Sequence, residues 1–198
     1  MRKIFLITAL GLALAIPAHA QFRELFNNAV GDVWGEAGRV GYREAADWMG
    51  KRNKAGIALD ETRKKLLRPT FKGLVDRVHV VYGATMLEEI PAPGGSILLG
   101  DSLGQTYCGS IYIKGRYKAG DDSQLALLAH EMTHAWQCED FGGLEKFGFH
   151  YFREYYRGGR SYEDNKLEVD AYKFQAKFEK KLLKRKKAST KKPVSTRR

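Results

Sequence analysis

The chain has 198 residues, of which 43% are hydrophobic and 29% are charged, and its formal net charge is +11. This composition is typical of a globular protein with a core of its own. Residues 173–198 hold twelve Lys or Arg and one acid, so the basicity belongs to the C-terminal end and not to the whole surface. Because the charge is concentrated there, the net charge does not imply a general nucleic-acid-binding surface. The sequence has no internal repeat.

The first twenty residues have the pattern of a secretory signal. Arg2 and Lys3 precede an apolar stretch, Ile4–Ile16, and small residues occupy positions 18 and 20. The apolar stretch is too short to span a bilayer. We expect cleavage after Ala20 and a mature protein in the periplasm or outside the cell, with no transmembrane segment. An uncleaved membrane anchor is the alternative.

The predicted elements begin with residues 21–59, a helical segment interrupted by glycines. Residues 60–68 form a predicted helix that Asp60 caps and that ends before Pro69. Residues 78–82 alternate as a strand, and residues 96–100 and 105–115 indicate further short strands around a turn.

The second half of the chain is predicted to be helical. A helix begins at Asp122 or Ser123, runs to about Glu139 and ends at the glycines that follow. An aromatic-rich helix and a long third helix come next, and residues 179–198 form a basic tail predicted to be disordered. The element order predicts an α+β fold in which a small antiparallel sheet precedes the first of these helices and two further helices follow it.

The most informative stretch is "LLAHEMTHAWQ", residues 127–137. His130 and His134 are four apart, so on a helix they share one face and offer two imidazoles to one metal ion. Glu131 points about a third of a turn away, where it reaches a water on the open side of the metal. This is the His-Glu-x-x-His pattern of zinc hydrolases, in which the metal lowers the pKa of water to about 7 and the glutamate accepts its proton. The sequence predicts Zn²⁺ bound by both histidines, with Glu131 as the catalytic base.

A catalytic zinc needs a third protein ligand. Glu163 and Glu168 both follow the motif. Glu168 is preferred because it lies in the predicted third helix between apolar neighbours, whereas Glu163 lies in a loop.

The two segments "LLAHEMTHAWQ" and "RSYEDNKLEVDAY" resemble the bacterial zinc metallopeptidase-like proteins typified by the domain of unknown function 4157, a gluzincin-type group. The resemblance covers about residues 60–178 and implies a zincin-like metallopeptidase domain with Glu168 as the ligand and Ala171 as the small residue after it. The acidic residue often found four positions after that glutamate is Tyr172 here. Asp170 and Asp164 are the alternatives for a contact with a ligating histidine.

Two further roles remain open between several residues. The strand Gly109–Ile113 is a candidate for pairing with an extended peptide substrate, and ordinary sheet packing is the alternative. A donor is also needed for the charge that develops on the scissile carbonyl. Tyr162 is preferred because it lies near the second motif, and the other candidates are Tyr155, Tyr156, His150 and Arg160.

Cys108 and Cys138 are the two cysteines, and in an exported protein they are predicted to form a disulfide. The expected function is a secreted or periplasmic zinc-dependent metallopeptidase that acts on a peptide or protein. The basic tail is expected to add affinity for an anionic surface or polyanion, without specific nucleic-acid recognition. The alternative is an inactive zinc-binding or polyanion-binding protein of the cell envelope.

Overall fold

The computed structural model describes residues 18–100 and 102–190. Within these ranges the chain has the predicted α+β fold, built from five α-helices and six β-strands. The helices are α1 Ala18–Arg52, α2 Glu61–Phe71, α3 Asp122–Phe141, α4 Leu144–Arg157 and α5 Lys166–Thr190. The strands are β1 Ile57–Ala58, β2 His79–Tyr82, β3 Glu89–Ala92, β4 Gly95–Leu98, β5 Gly104–Tyr107 and β6 Ser110–Ile113. Over the described ranges, no helix combines the length and the apolar character needed to cross a bilayer.

Both ends of the chain reach beyond the described residues. The predicted signal sequence, 1–20, lies outside them except for its last three residues, which begin α1, and its cleavage stays a prediction. At the other end, residues 179–190 were assigned to a disordered tail but are helical and belong to α5. Leu182 is buried there, because the apolar spacing of Phe174 and Phe178 continues for one more turn.

The N-terminal segment is one continuous helix, α1, that packs antiparallel to α4. Arg157 at the end of α4 bonds to Asn28, and Arg43 bonds to Glu145 near the start of α4. The glycines in α1 permit this contact and do not interrupt the helix. A Cβ at Gly38 would collide with the carbonyl oxygen of Gly148 in α4, so the two backbones approach more closely than side chains would allow.

The main sheet has the strand order β1-β2-β6-β5, and β3 and β4 form a separate hairpin. The prediction of an antiparallel sheet was wrong in one ladder, because β2 and β6 pair in parallel. The chain between β2 and β6 contains the β3–β4 hairpin and β5, and β6 then runs in the same direction as β2. Alternation of apolar residues predicts that a strand exists but does not specify the direction of its partner.

Helix α2 continues through Pro69, whereas we predicted that it would end before this residue. Proline at this position removes one intrahelical hydrogen bond, and its ring crowds the carbonyl of the residue four positions earlier. The final residue, Phe71, is buried and packs edge-on against Phe174 of α5, with ring centroids 5.1 Å apart. This packing keeps the last turn helical. Asp60 caps the helix as predicted, since its side chain accepts a hydrogen bond from Arg63 N.

Helix α3 lies at the centre of the molecule. Its N-cap is Asp121, one residue before the predicted caps, and Gly142 ends it in a left-handed conformation. Leu128 and Met132 belong to one apolar cluster, and Cys138 belongs to another. Because both sides of α3 face a core, polar side chains in its middle are buried as well.

The predicted disulfide between Cys108 and Cys138 is present, with Cα atoms 5.2 Å apart. It joins the turn between β5 and β6 to the C-terminal part of α3. The main sheet and the central helix are therefore held together by a covalent bond as well as by packing.

Candidate metal centre

The two motif histidines lie one turn apart in the buried middle of α3. His130 is 3% exposed and His134 is 5% exposed. Their Nε2 atoms point toward each other and are 3.1 Å apart. Two adjacent ring nitrogens that lie this close offer a bidentate site for one cation.

Glu168 completes the cluster from the first turn of α5. Its Oε2 atom lies 3.2 Å from His130 Nε2 and 3.3 Å from His134 Nε2. Asn165 fixes this turn, because its side-chain oxygen accepts from Leu167 N and its amide donates to the carbonyl oxygen of Tyr151. The competing residue Glu163 is exposed and interacts with Ser161, so it lies apart from the histidines.

The three ligand atoms lie within about 0.3 Å of the spacing that a tetrahedral zinc requires. With bonds of about 2.0 to 2.1 Å, two ligand atoms of such a site lie about 3.3 to 3.4 Å apart. The separations here are 3.1, 3.2 and 3.3 Å. Among the described residues Glu168 Oε2 is buried without a hydrogen-bond partner, which is costly for a carboxylate oxygen unless a cation completes it. Two imidazoles and one carboxylate are a donor set that suits zinc.

Only three protein side chains in the described ranges form this cluster, namely His130, His134 and Glu168. Structural zinc sites in proteins use four protein ligands, whereas catalytic sites use three and leave one position to water or substrate. A zinc held by this cluster would therefore have one position open to water or substrate.

Neighbouring side chains orient the ligands. Gln137 Oε1 lies 2.9 Å from His134 Nδ1, and the Gln137 amide donates to the carbonyl oxygen of Leu167. The proton of His134 is thus held on Nδ1 and its Nε2 lone pair is directed to the cluster. The Tyr151 hydroxyl donates to Glu168 Oε1 over 2.7 Å.

Sequence reasoning missed both of these orienting residues. Gln137 follows His134 by three positions on the same helix, and this spacing was a usable signal. Tyr151 lies in another helix, so no local pattern announces it. Asp164 and Asp170, the predicted alternatives for such a contact, are exposed and bond to neither histidine. Tyr172 packs its ring against His130 with centroids 4.5 Å apart.

The charges of the cluster are strongly coupled. Burial alone would raise the pKa of Glu168, but the two histidines outweigh it and hold that pKa well below its usual range. Burial alone would lower the pKa of His134, but the Glu168 carboxylate outweighs it and raises that pKa. The Glu168 carboxylate and His134 therefore each favour the charged form of the other.

Glu131 occupies a separate position beside the cluster. It is 3% exposed, and Thr106 of β5 donates a 2.7 Å hydrogen bond to its Oε2. Burial raises the pKa of Glu131, while the two histidines act in the opposite direction. A Cβ at Gly104 would overlap the Glu131 carboxylate, so only glycine leaves room for it. Strand β5 thus fixes the carboxylate from two sides.

Of the five candidate donors, only Tyr162 reaches this region. It lines a small cavity together with Glu131 and Glu168. Burial is the main cause that raises the pKa of Tyr162, and the charge of Glu168 raises it further, so its hydroxyl stays protonated. The remaining candidates pack elsewhere: Tyr155, Tyr156 and Arg160 around Trp34, and His150 on Phe141.

A groove of about 420 Å³ opens beside His130 and Glu131. One wall consists of residues 98–100 and 102–104, in which Leu98 and Leu103 are 70% and 62% exposed. The other wall comes from α5 and includes Tyr172. A larger cavity, about 890 Å³, lies along a different face of α3 and touches none of the three clustered ligands, so size alone does not identify the site.

The strand Gly109–Ile113 does not have the position that substrate pairing requires. It corresponds to β6, which lies between β2 and β5 and has neighbours on both sides. A peptide can add only to an open edge. The edge strand next to α3 is β5, whose first residue, Gly104, lines the groove.

Comparisons of the chain with protein-family models, curated proteins and solved structures found no match. The resemblance to gluzincin-type proteins therefore stays a prediction. Inference about function depends on the site itself.

Proposed function

We propose that this protein is a zinc-dependent metallopeptidase with a zincin-like domain. The observation that carries the proposal is the closed triangle formed by His130 Nε2, His134 Nε2 and Glu168 Oε2, with sides of 3.1, 3.2 and 3.3 Å. Glu168 comes from a different helix than the histidines, so this convergence is a property of the fold and not of helix geometry alone.

His130, His134 and Glu168 would hold the metal, and Gln137 and Tyr151 would keep two of these ligands oriented. A bound zinc would supply a lowered pKa for water and polarisation of a substrate carbonyl. A purely structural site would need a fourth protein ligand, and the described residues offer none.

Glu131 is the proposed general base. It is held by Thr106 and buried beside the cluster, and its raised pKa brings it closer to the range in which a carboxylate both accepts and returns a proton. It would take a proton from the attacking water and deliver it to the leaving amine. A base in this position favours hydrolysis over passive zinc binding.

Tyr162 is the proposed donor to the developing oxyanion. Its hydroxyl stays protonated and lies in the cavity that Glu131 and Glu168 also line. A preorganised donor of this kind is worth about 10²- to 10³-fold in turnover. The substrate would occupy the groove between α5 and residues 98–100 and 102–104. The exposed Leu98 and Leu103 suit apolar side chains of a peptide.

The test pairs metal analysis with peptide hydrolysis. The purified protein should contain about one zinc per chain and cleave members of a mixed peptide library, and a chelator should abolish cleavage. Glu131→Gln should keep the zinc and lose about 10²- to 10⁴-fold in turnover, because the amide keeps the shape but cannot accept a proton.

Glu163→Gln is the matched control, since it removes an exposed glutamate outside the cluster. It should retain both zinc and turnover. Wild-type turnover in Glu131→Gln would refute the assigned base, and a protein that binds no zinc at all would refute the proposed function.

A further inference from the structure

Helix α5 carries a line of lysines on its outer face. Lys173, Lys177, Lys180 and Lys184 are spaced by four, three and four residues, so they share one side of the helix. All four are exposed. With a rise of about 1.5 Å per residue, the line is about 16 Å long. We call these four residues the lysine ridge.

The ridge faces away from the body of the protein. The opposite side of the same helix buries Phe178 and Leu182, which are 4% and 6% exposed. The ridge is thus a convex line supported by a packed helix, and its geometry does not depend on the residues that follow position 190.

The charge of the ridge is not neutralised within the described part of the chain. The ion pair that α5 makes with Asp122 uses Lys186, which lies off the ridge. Two acids lie near the ridge along α5. Glu179 points to another side of the helix and accepts a hydrogen bond from Gln175. Asp170 is exposed three positions before Lys173, at one end of the ridge. Four positive charges are therefore presented in one direction.

We propose that the lysine ridge binds an anionic lipid surface. A straight convex ridge touches a flat layer of headgroups along its whole length, whereas a single-stranded nucleic acid is held in a groove with aromatic side chains. The four positions of the ridge are all lysine, a compact hydrated charge that suits a diffuse layer of anions and not a bidentate contact. Leu183 lies beside the ridge and is 58% exposed, and it can reach the headgroup boundary.

The test uses the full chain with two kinds of vesicle, phosphatidylcholine alone and phosphatidylcholine mixed with phosphatidylglycerol. Sedimentation should show binding only to the mixed vesicles, and binding should weaken as salt is added. The ridge variant K173Q/K177Q/K180Q/K184Q should bind several hundred-fold more weakly, at about five-fold per lysine, which corresponds to about 1 kcal/mol each.

A matched variant removes the same number of charges from exposed lysines outside α5. Its substitutions are K51Q, K54Q, K114Q and K146Q. It should bind within a few-fold of wild type, because these residues do not lie on the ridge. Unchanged melting temperatures and zinc contents of both variants check that each one is folded.

Three outcomes would overturn the proposal. The first is equal loss of binding in the two variants, which would show a dependence on net charge only. The second is equal binding to both kinds of vesicle. The third is tighter binding of wild type to a single-stranded oligonucleotide than to mixed vesicles at the same salt concentration, which would assign the ridge to nucleic acid.

Discussion

Replacing Glu168 with glutamine gives the sharpest test of the metal centre. The amide is almost the same size as the carboxylate, and its oxygen can still accept the hydrogen bond from Tyr151. The substitution removes the negative charge and replaces the second oxygen with an NH₂ group, which cannot bind a metal. In the wild type this second oxygen lies 3.2 and 3.3 Å from His130 and His134. Loss of metal from this variant would therefore not be explained by loss of packing.

The expected loss of zinc affinity follows from the number of protein ligands. Structural zinc sites with four protein ligands bind with about 10 to 16 kcal/mol, so one ligand contributes roughly 3 kcal/mol, or at least 100-fold in affinity. At a free zinc concentration of 100 times the wild-type Kd, binding stabilises the wild type by about 2.7 kcal/mol, and the weakened variant by about 0.4 kcal/mol. For a chain of this size the wild-type melting temperature should rise by about 5 to 11 °C, and that of the variant by about 1 °C.

The assay is a thermal melt of metal-free protein with and without zinc, combined with metal analysis of the purified samples. Glu163→Gln serves as the control because Glu163 is exposed, accepts a hydrogen bond from Ser161 and lies outside the ligand cluster. It should show the full wild-type shift. If Glu168→Gln keeps one zinc and the full shift, or if Glu163→Gln loses them, the ligand assignment is wrong.

Three further substitutions test other parts of the structure. Gly104→Ala places a methyl group where the Glu131 carboxylate lies, so turnover should fall by about 100-fold while zinc stays bound. Gly50→Ala is the control, because a methyl group there meets open space and should not change turnover. Equal turnover in the two variants would contradict the packing described for β5. Leu182→Ala should lower the free energy of unfolding by about 2 to 5 kcal/mol in denaturant melts, because Leu182 is 6% exposed; an unchanged midpoint would mean that this part of α5 is not packed. Asp60→Asn keeps a helix cap but removes the ion pair to buried Arg63, whose nitrogen lies 2.6 Å from the carboxylate. Burial would raise the pKa of Asp60, but hydrogen bonds from Arg63 outweigh it and lower that pKa. The stability that this carboxylate adds is therefore present above about pH 4 and is lost as the pH falls through its folded pKa. The difference in free energy of unfolding between wild type and Asp60→Asn should shrink over that range, and a constant difference would contradict the assignment.

The parts of the site that the sequence predicts are those set by local geometry. His130 and His134 share a face because any helix brings positions four apart together. Glu168 was chosen over Glu163 because its apolar neighbours indicated a buried helix turn, and the structure places Glu168 beside both histidines. The disulfide was predicted from the count of cysteines and from the expectation of export, since two cysteines have one pairing.

The parts that sequence reasoning missed depend on contacts between distant segments. The parallel pairing of β2 with β6 follows from the path of the chain, and alternation within a strand carries no information about it. The helical turn that contains Pro69 persists because Phe71 packs against Phe174, about a hundred positions away in the chain. Local propensity favoured an earlier end, and tertiary packing outweighed it.

Glu131, the proposed catalytic base, shows how local sequence pattern and long-range contacts combine. The motif specifies that Glu131 follows His130, but on an isolated helix its carboxylate would rotate freely in solvent. In the fold, the hydroxyl of Thr106 and the bare backbone of Gly104 confine it, and both residues come from β5. The disulfide at Cys108 ties the end of this strand to α3, so the residues that confine the base are linked to the helix that carries it. A His-Glu-x-x-His pattern on an unsupported helix would lack this confinement, and preorganisation of the base is what distinguishes a proposed catalytic site from a metal-binding sequence.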